Sequence, residues 1–174
     1  MSTGLRQVRV LINPQSGLPW SFTAFRKAMD QFWDNGNTDL SYQFSQSKED
    51  GIAKAERAVA DGVHTILVVG GDGTINSIGR VLIGSGVSLG VIPVGSGNGF
   101  ARHFGIPLSP PKAVEALAHA KVTTIDVGVA AEQPFFVTCS MAWDASLVKS
   151  FNKMPVRGVL PYFLAAVQDF FEYK

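Results

Sequence analysis

The run His64-Thr65-Ile66-Leu67-Val68-Val69 is apolar and β-branched, stops at Gly70-Gly71-Asp72-Gly73-Thr74, and gives way to Ile75, Ile78, Val81 and Leu82 at helical spacing. A strand that is apolar along its whole length is buried on both faces, which is the condition of an inner strand in a parallel sheet. Glycine breaks both patterns at the junction, so strand, open loop and helix start follow one another within a dozen residues. No other feature constrains the fold as much, because parallel strands can be joined only by crossovers.

The flanking sequence supplies those crossovers. Gln7 to Ile12 reads as a buried strand that ends in the loop Asn13-Pro14-Gln15-Ser16-Gly17. Ser21 caps a helix whose Phe22, Phe25, Met29 and Phe32 recur every three or four residues, and Asn35-Gly36-Asn37 stops it. Leu40, Tyr42 and Phe44 alternate with polar residues as in a half-exposed strand. Ser47, with Asp50 three residues on, starts a helix through Ile52, Ala55 and Val59 that Gly62 closes. Val87 to Val94 forms a fourth strand before Gly95-Ser96-Gly97-Asn98-Gly99, and Ser109-Pro110-Pro111 opens a helix through Val114, Leu117 and Ala118. Strict alternation of strand and helix predicts an α/β fold, a parallel sheet with helices on both faces, whose ligands sit beyond the carboxyl ends of the strands. The loops 13–17, 70–74 and 95–99 all fall at such ends.

From about Val122 the pattern changes. Val122 to Val129 and Pro134 to Cys139 read as adjacent strands of a hairpin, followed by helices at Ala145 to Lys153 and Tyr162 to Tyr173. A domain boundary is expected near 124, with an α/β domain over 1–124 and the truncated start of a β-rich second domain over 125–174. Two strands and two apolar helices do not make a self-sufficient core.

Composition excludes several function classes. Charged residues are 17% of the 174 and the formal net charge is +1, so no basic field advertises nucleic acid. A single cysteine, Cys139, rules out an internal disulfide and a cysteine-built zinc site, and reads as a buried structural thiol in a reduced compartment. The N-terminus MSTGLRQVRV lacks a signal-peptide core, and no run reaches the ~18 apolar residues of a membrane span, so a soluble cytoplasmic protein is expected.

The glycine loops carry the chemistry. Main-chain N–H groups can surround phosphate oxygens only where side chains leave room, and a glycine loop ahead of a helix N-terminus is an anion site. Gly70, Gly71 and Gly73 fit that description, with Thr74 able to cap the following helix. Asp72 would repel phosphates unless it binds Mg²⁺ or accepts a proton, roles that belong to phosphoryl transfer. The alternative is a glycine-rich turn in which Asp72 caps a helix. No glycine loop ends in Gly-Lys-Ser/Thr, and neither has Gly-x-Gly-x-x-Gly spacing, so P-loop and dinucleotide-binding sites are excluded.

Gly70-Gly71-Asp72-Gly73-Thr74 followed by Pro93-Val94-Gly95-Ser96-Gly97-Asn98 resembles the diacylglycerol kinase catalytic-domain family, which includes diacylglycerol, sphingoid-base and bacterial lipid kinases. Asn13-Pro14 with Ser16-Gly17 matches that family's opening nucleotide loop, and Ser45 stands where a threonine or serine contacts ATP. Phe100-Ala101-Arg102, Gly128 and Cys139 to Ala145 continue the resemblance over nearly the whole chain, which corresponds to part of a complete kinase. The resemblance implies an NAD kinase/diacylglycerol kinase-like nucleotide domain that uses ATP and Mg²⁺ to phosphorylate a lipid hydroxyl. Its nucleotide site would comprise Asn13, Pro14, Ser16, Gly17, Ser45, Gly70, Gly71, Gly73, Thr74, Asn76, Gly95, Ser96, Gly97 and Asn98, with Asp72 the catalytic and metal-associated acid. Asn98 would organise the loop crossing or the phosphates. The same resemblance allows peripheral membrane contact and a homodimer.

One departure is Gly99, where many relatives have aspartate, and the family's later acids fall in a second domain that this chain only begins. His103 reads as an exposed or capping residue beside the second glycine loop, His64 and His119 as structural, and Asp126 and Asp144 as turn or surface residues. The apolar segment Phe163 to Phe171 reads as core or as lipid-cleft lining. NAD kinases and phosphofructokinases share the Gly-Gly-Asp-Gly loop, but the chain has no Asn-Glu dipeptide of the NAD kinase kind, and Pro-x-Gly-Ser-x-Asn favours the lipid branch. A nucleotide-binding module without catalysis is the remaining reading.

Overall fold

In the computed structural model, residues 5–17, 19–33 and 36–137 are described. Helices at Ala145 to Lys153 and Tyr162 to Tyr173, and the environment of Cys139, lie outside them. The order is β1 (Arg6–Ile12), α1 (Phe22–Phe32), β2 (Thr38–Phe44), α2 (Lys48–Ala60), β3 (Thr65–Gly70), α3 (Asp72–Leu82), β4 (Ser88–Pro93), α4 (Gly99–His103), α5 (Pro110–Ala118), β5 (Gly128–Ala130) and β6 (Gln133–Phe135).

The first four strands form one parallel sheet in the order β2-β1-β3-β4. Residues of β3 are buried from end to end, as an inner strand requires. Side-chain alternation sends Val8, Val10, Ile12, Leu67 and Val69 to the face covered by α1 and α5. Leu11, Ile66 and Val68 go to the face covered by α2, α3 and α4. Trp33 locks α1 to α5 by donating from its indole Nε1 to the Val114 carbonyl at 3.0 Å.

Helix ends follow the caps in the sequence. Ser21 Oγ accepts from the Ala24 amide at 3.1 Å, and Ser47 Oγ from the Asp50 amide at 3.1 Å. Past α2, Gly62 is left-handed (φ 70°), its N–H donates to the Val59 carbonyl, and Val63 N–H donates to the Ala58 carbonyl, closing the helix in a Schellman turn.

The first helix carries the core's largest fully buried side chain. Phe25 meets Trp20 and Tyr42 edge-on, with centroids 5.5 and 6.5 Å away. Phe25→Ala is expected to lower the unfolding free energy by about 3–5 kcal/mol, the usual cost of emptying an aromatic site. Urea titration with unchanged slope checks it.

Three expectations need correction. Helix α3 begins at Asp72 with Gly71 as its N-cap, three residues ahead of the expected cap Thr74, so Thr74 lies within the first turn and does not cap it. The glycines do not delay the helix, because Gly70 ends β3, Gly71 is the extended N-cap (φ −98°, ψ −178°) and Gly73 is already helical. The hairpin after 124 exists, but its antiparallel strands are only Gly128–Ala130 and Gln133–Phe135. Thr123 and Thr124 are exposed and outside any strand, so the expected long strand from Val122 forms only at its end. Helix α4 was not anticipated at all.

Candidate active site

Strand β1 sits between β2 and β3, so its crossover leaves toward one edge of the sheet while the chain returns to pair on the other side. Loops after β1 and β3 therefore diverge, and the crevice between them is where parallel sheets place ligands. The loop after β4 reaches both of them, with the Val94 carbonyl against Gly17 and Gly95 against Gly71.

Side-chain hydrogen bonds and close glycine approaches draw the three loops together. Asn13 donates from Nδ2 to Thr74 Oγ1 at 2.9 Å, while its Oδ1 accepts from the Gln15 amide at 3.0 Å. Ser16 Oγ lies 3.5 Å from the same Thr74 hydroxyl. Gly17 is left-handed (φ 67°), and a side chain there would run into the Val94 carbonyl. Gly71 and Gly95 face each other so closely that a Cβ on Gly95 would stand 2.5 Å from the Gly71 Cα. Asn98, buried and left-handed (φ 52°), brackets Gly95 by accepting from its amide at 2.8 Å and donating to its carbonyl at 2.7 Å.

Asp72 has a place the local sequence does not announce. Its Oδ2 accepts from the Gly99 amide at 2.9 Å and its Oδ1 from the Phe100 amide at 3.0 Å. The carboxylate thus caps α4 from 27 residues away, and it ties the first glycine turn to the second. This answers why an acid stands among glycines: its charge is met by two main-chain N–H groups, where charge-assisted bonds are strong. It also explains α4, which has no side-chain cap of its own. Gly99 leaves room that Val137 fills, 2.8 Å from where a Cβ would be.

Other sequence-selected residues are placed as follows. Ser45 Oγ donates to the Ile12 carbonyl at 3.2 Å, next to Asn13, at the carboxyl end of β2. Pro14 and Gly97 are exposed and Ser96 is half-buried on the same rim. Asn76 lies a turn into α3 and does not join the loops; its Oδ1 is buried without a hydrogen-bond partner among the described residues. His103 turns its ring edge to Phe104 at 4.7 Å, His119 does so to Phe32 at 6.3 Å, and His64 Nδ1 accepts from the Gln7 amide at 3.0 Å.

No side chain caps α3; the Thr74 amide donates to the Gly71 carbonyl, and the N–H groups of Asp72 and Gly73, with no partner among the described residues, are available to an anion. The described residues thus suit phosphates. They gather no group of three His, Cys, Asp or Glu for a resident metal. A nucleotide-borne Mg²⁺ asks for only one or two protein carboxylates, a number Asp72 meets.

Two predictions arise here. Asn98→Ala removes both bonds to Gly95 and leaves alanine in left-handed backbone, so it should cost about 2–4 kcal/mol, with Asn98→Gly relieving the backbone part. Thermal unfolding of the two variants measures the difference. At the start of α2, the Lys54 ammonium beside Asp50 and the Gln46 amide that donates to it at 2.8 Å hold that carboxyl below its ordinary range. Lys54 also donates to the Phe44 carbonyl at 3.1 Å, so this cluster anchors the segment carrying Ser45. A carboxyl depressed on folding stabilises above its unfolded pKa, and that stabilisation is lost as pH falls through the lower folded value. Amide chemical shifts of Gln46 and Asp50 should therefore move together in an acid titration and titrate below the ordinary aspartate range.

Comparisons with known proteins bear on this geometry. Residues 7–130 match the family model described as "Diacylglycerol kinase catalytic domain". A diacylglycerol kinase of Mycobacterium tuberculosis (strain CDC 1551 / Oshkosh) is 34% identical over 123 residues, covering 70% of this chain and 40% of that protein. A protein of Enterobacter sp. (strain 638) named "Probable lipid kinase YegS-like" is 32% identical over 116 residues, covering 64% of this chain and 38% of that one. Among solved structures, a diacylglycerol kinase from Bacillus anthracis str. Sterne aligns with a TM-score of 0.65 at 25% identity, covering 77% of this chain and 51% of that one. The chain therefore spans less than half the length of these curated relatives. No helix among the described residues is long and apolar enough to cross a membrane. Because the family model matches residues 7–130, most of the chain, the chain belongs to the diacylglycerol kinase catalytic domain family.

Proposed function

We propose that this chain is the nucleotide-binding portion of an ATP-dependent lipid kinase, which transfers the γ-phosphoryl group to a lipid hydroxyl. The observation that carries this reading is the meeting of three main-chain turns around the uncapped start of α3. The triphosphate lies along Gly71, Gly73 and the 95–98 turn, where N–H groups accept its charge and absent side chains admit it. Asn13, Ser16 and Thr74 hold the first and second loops at the spacing this requires. Bound with the nucleotide, Mg²⁺ would neutralise phosphate charge, and Asp72 is the acid that would hold it.

Catalysis in this class is mainly positioning and electrostatics, so a scaffold of fixed amides is a suitable starting part. The hydroxyl acceptor and its proton acceptor belong to the unit that begins near 124, at a membrane surface where lipid is presented. Domain 1–124 is then the nucleotide unit, and 125–174 opens the lipid unit. The supporting contacts are Phe136, whose ring fills the space beside Gly79 of α3, and Val137 against Gly99.

Radiolabel transfer from [γ-³²P]ATP to extracted lipids, using a longer chain that contains both units, tests the reading. Label in a lipid phosphate supports it; label on NAD would move the protein to the soluble-substrate branch. ATP binding with no transfer by the longer chain would leave a nucleotide-binding module.

A further inference from the structure

We propose that Arg102 supplies the formal positive charge of the phosphate cradle and that its terminal guanidinium nitrogens grip the nucleotide's phosphates. This rests on the nucleotide reading above and adds a residue the glycine motifs do not contain. Glycine turns and a helix start offer only partial charges, whereas a triphosphate carries several full ones, and Asp72 adds another negative charge to the same rim. A cation with spare donors is needed there.

Arg102 has the required position and freedom. Its Nε donates to the Gly97 carbonyl at 3.0 Å, which fixes the guanidinium to the second glycine turn. Gly97 in turn lies against Asp72, whose Oδ2 would be 3.4 Å from a Cβ there. The helix that carries Arg102 is held to the first glycine turn by the Asp72 bonds to Gly99 and Phe100. Arg102 is thus registered to both turns through main-chain contacts. Its side chain is exposed and makes no ion pair among the described residues, where the pairs are Arg9 with Asp39, Arg26 with Asp30 and Lys54 with Asp50. Asp72 does not neutralise it, because both carboxylate oxygens face amides. With Nε anchored, two terminal amino groups remain, and a guanidinium presents such donors in the fork that matches phosphate oxygens.

Neighbouring cations do not fill this role. Lys54 is paired with Asp50, Arg80 in the last turn of α3 donates to Gln133 at 3.1 Å, and His103 packs on Phe104.

Calorimetric titration of the 174-residue chain and its Arg102→Gln variant with ATP, ADP and AMP tests this. Arg102→Gln should weaken ATP by about tenfold or more, ADP by less and AMP little, because charge-assisted contacts scale with the phosphates gripped. Raising salt should weaken ATP binding less steeply in the variant. Equal ATP affinity in both proteins overturns the proposal, as does an equal loss for all three nucleotides, which would mark a residue that merely holds the loop. If the glutamine variant melts early, Arg102→Lys carries the test: it also loses the Nε bond but keeps the charge, so it should bind ATP more tightly than Arg102→Gln, and equality overturns the proposal. Failure of the unsubstituted chain to bind ATP would instead remove the nucleotide reading, and this proposal with it.

Discussion

Asp72→Asn leaves the sheet intact and uncouples the two glycine turns. An amide side chain has one acceptor oxygen, so one of the N–H groups of Gly99 and Phe100 keeps a partner and the other meets an NH₂ group. Losing one charge-assisted bond costs about 1.5–3 kcal/mol, which is about 10- to 150-fold in any equilibrium that needs the second turn in place. ATP affinity of this chain and phosphoryl transfer by a longer one should both fall by at least that order, while far-ultraviolet dichroism stays unchanged. A titration with and without Mg²⁺ separates the acid's two roles. A clamp alone gives the same loss in both conditions; a metal-associated acid gives an added loss with Mg²⁺. Full transfer activity in the variant would remove Asp72 from the account.

Gly95→Ala should be the most damaging single methyl in the site. Its Cβ would stand 2.5 Å from the Gly71 Cα and 2.9 Å from Asn98 Oδ1, and neither the facing backbone nor the bracketing amide can move without breaking a turn. Overpacking of this kind costs about 1–3 kcal/mol or more. The reciprocal change, Gly71→Ala, places its methyl 3.0 Å from the Gly95 Cα, so it should be milder but of the same sign. Melting curves rank the two, and nucleotide affinity should follow the same order. If Gly95→Ala melts as the unsubstituted protein does, the turns are not in the contact described.

Much of this was legible in the chain because local rules and tertiary demands agree. Ser21 and Ser47 cap the helices their positions announce, Gly62 closes α2, and the unbroken burial of β3 follows from its unbroken apolar run. Asn98 brackets Gly95, three residues earlier, within the second glycine turn, a contact short enough in sequence to be local. What failed was decided by contacts remote in sequence. The short helix Gly99–His103 has no cap within its own stretch, since its acceptor is Asp72. The start of α3 at Asp72 was hidden because glycines have low helix propensity, a weak prior that tertiary context overrides. Thr74 was assigned a capping role from its position, whereas its hydroxyl accepts from Asn13, 61 residues earlier. Nothing local in the sequence marks Arg102, because a guanidinium tied to a turn and a solvated one read alike.

Gly73 offers the most direct test of the central claim that the turns form a phosphate cradle. A Cβ there would meet nothing within 4 Å, and its φ is not left-handed, so neither packing nor backbone conformation requires glycine at this exposed position in the first turn of α3. The proposed phosphate cradle does, because it needs that space for a ligand. Calorimetry with ATP should show that the unsubstituted chain binds and that Gly73→Ala, with an unchanged or slightly higher melting temperature, binds at least about tenfold more weakly. Equal ATP affinity in the two proteins, or none in either, would contradict the account.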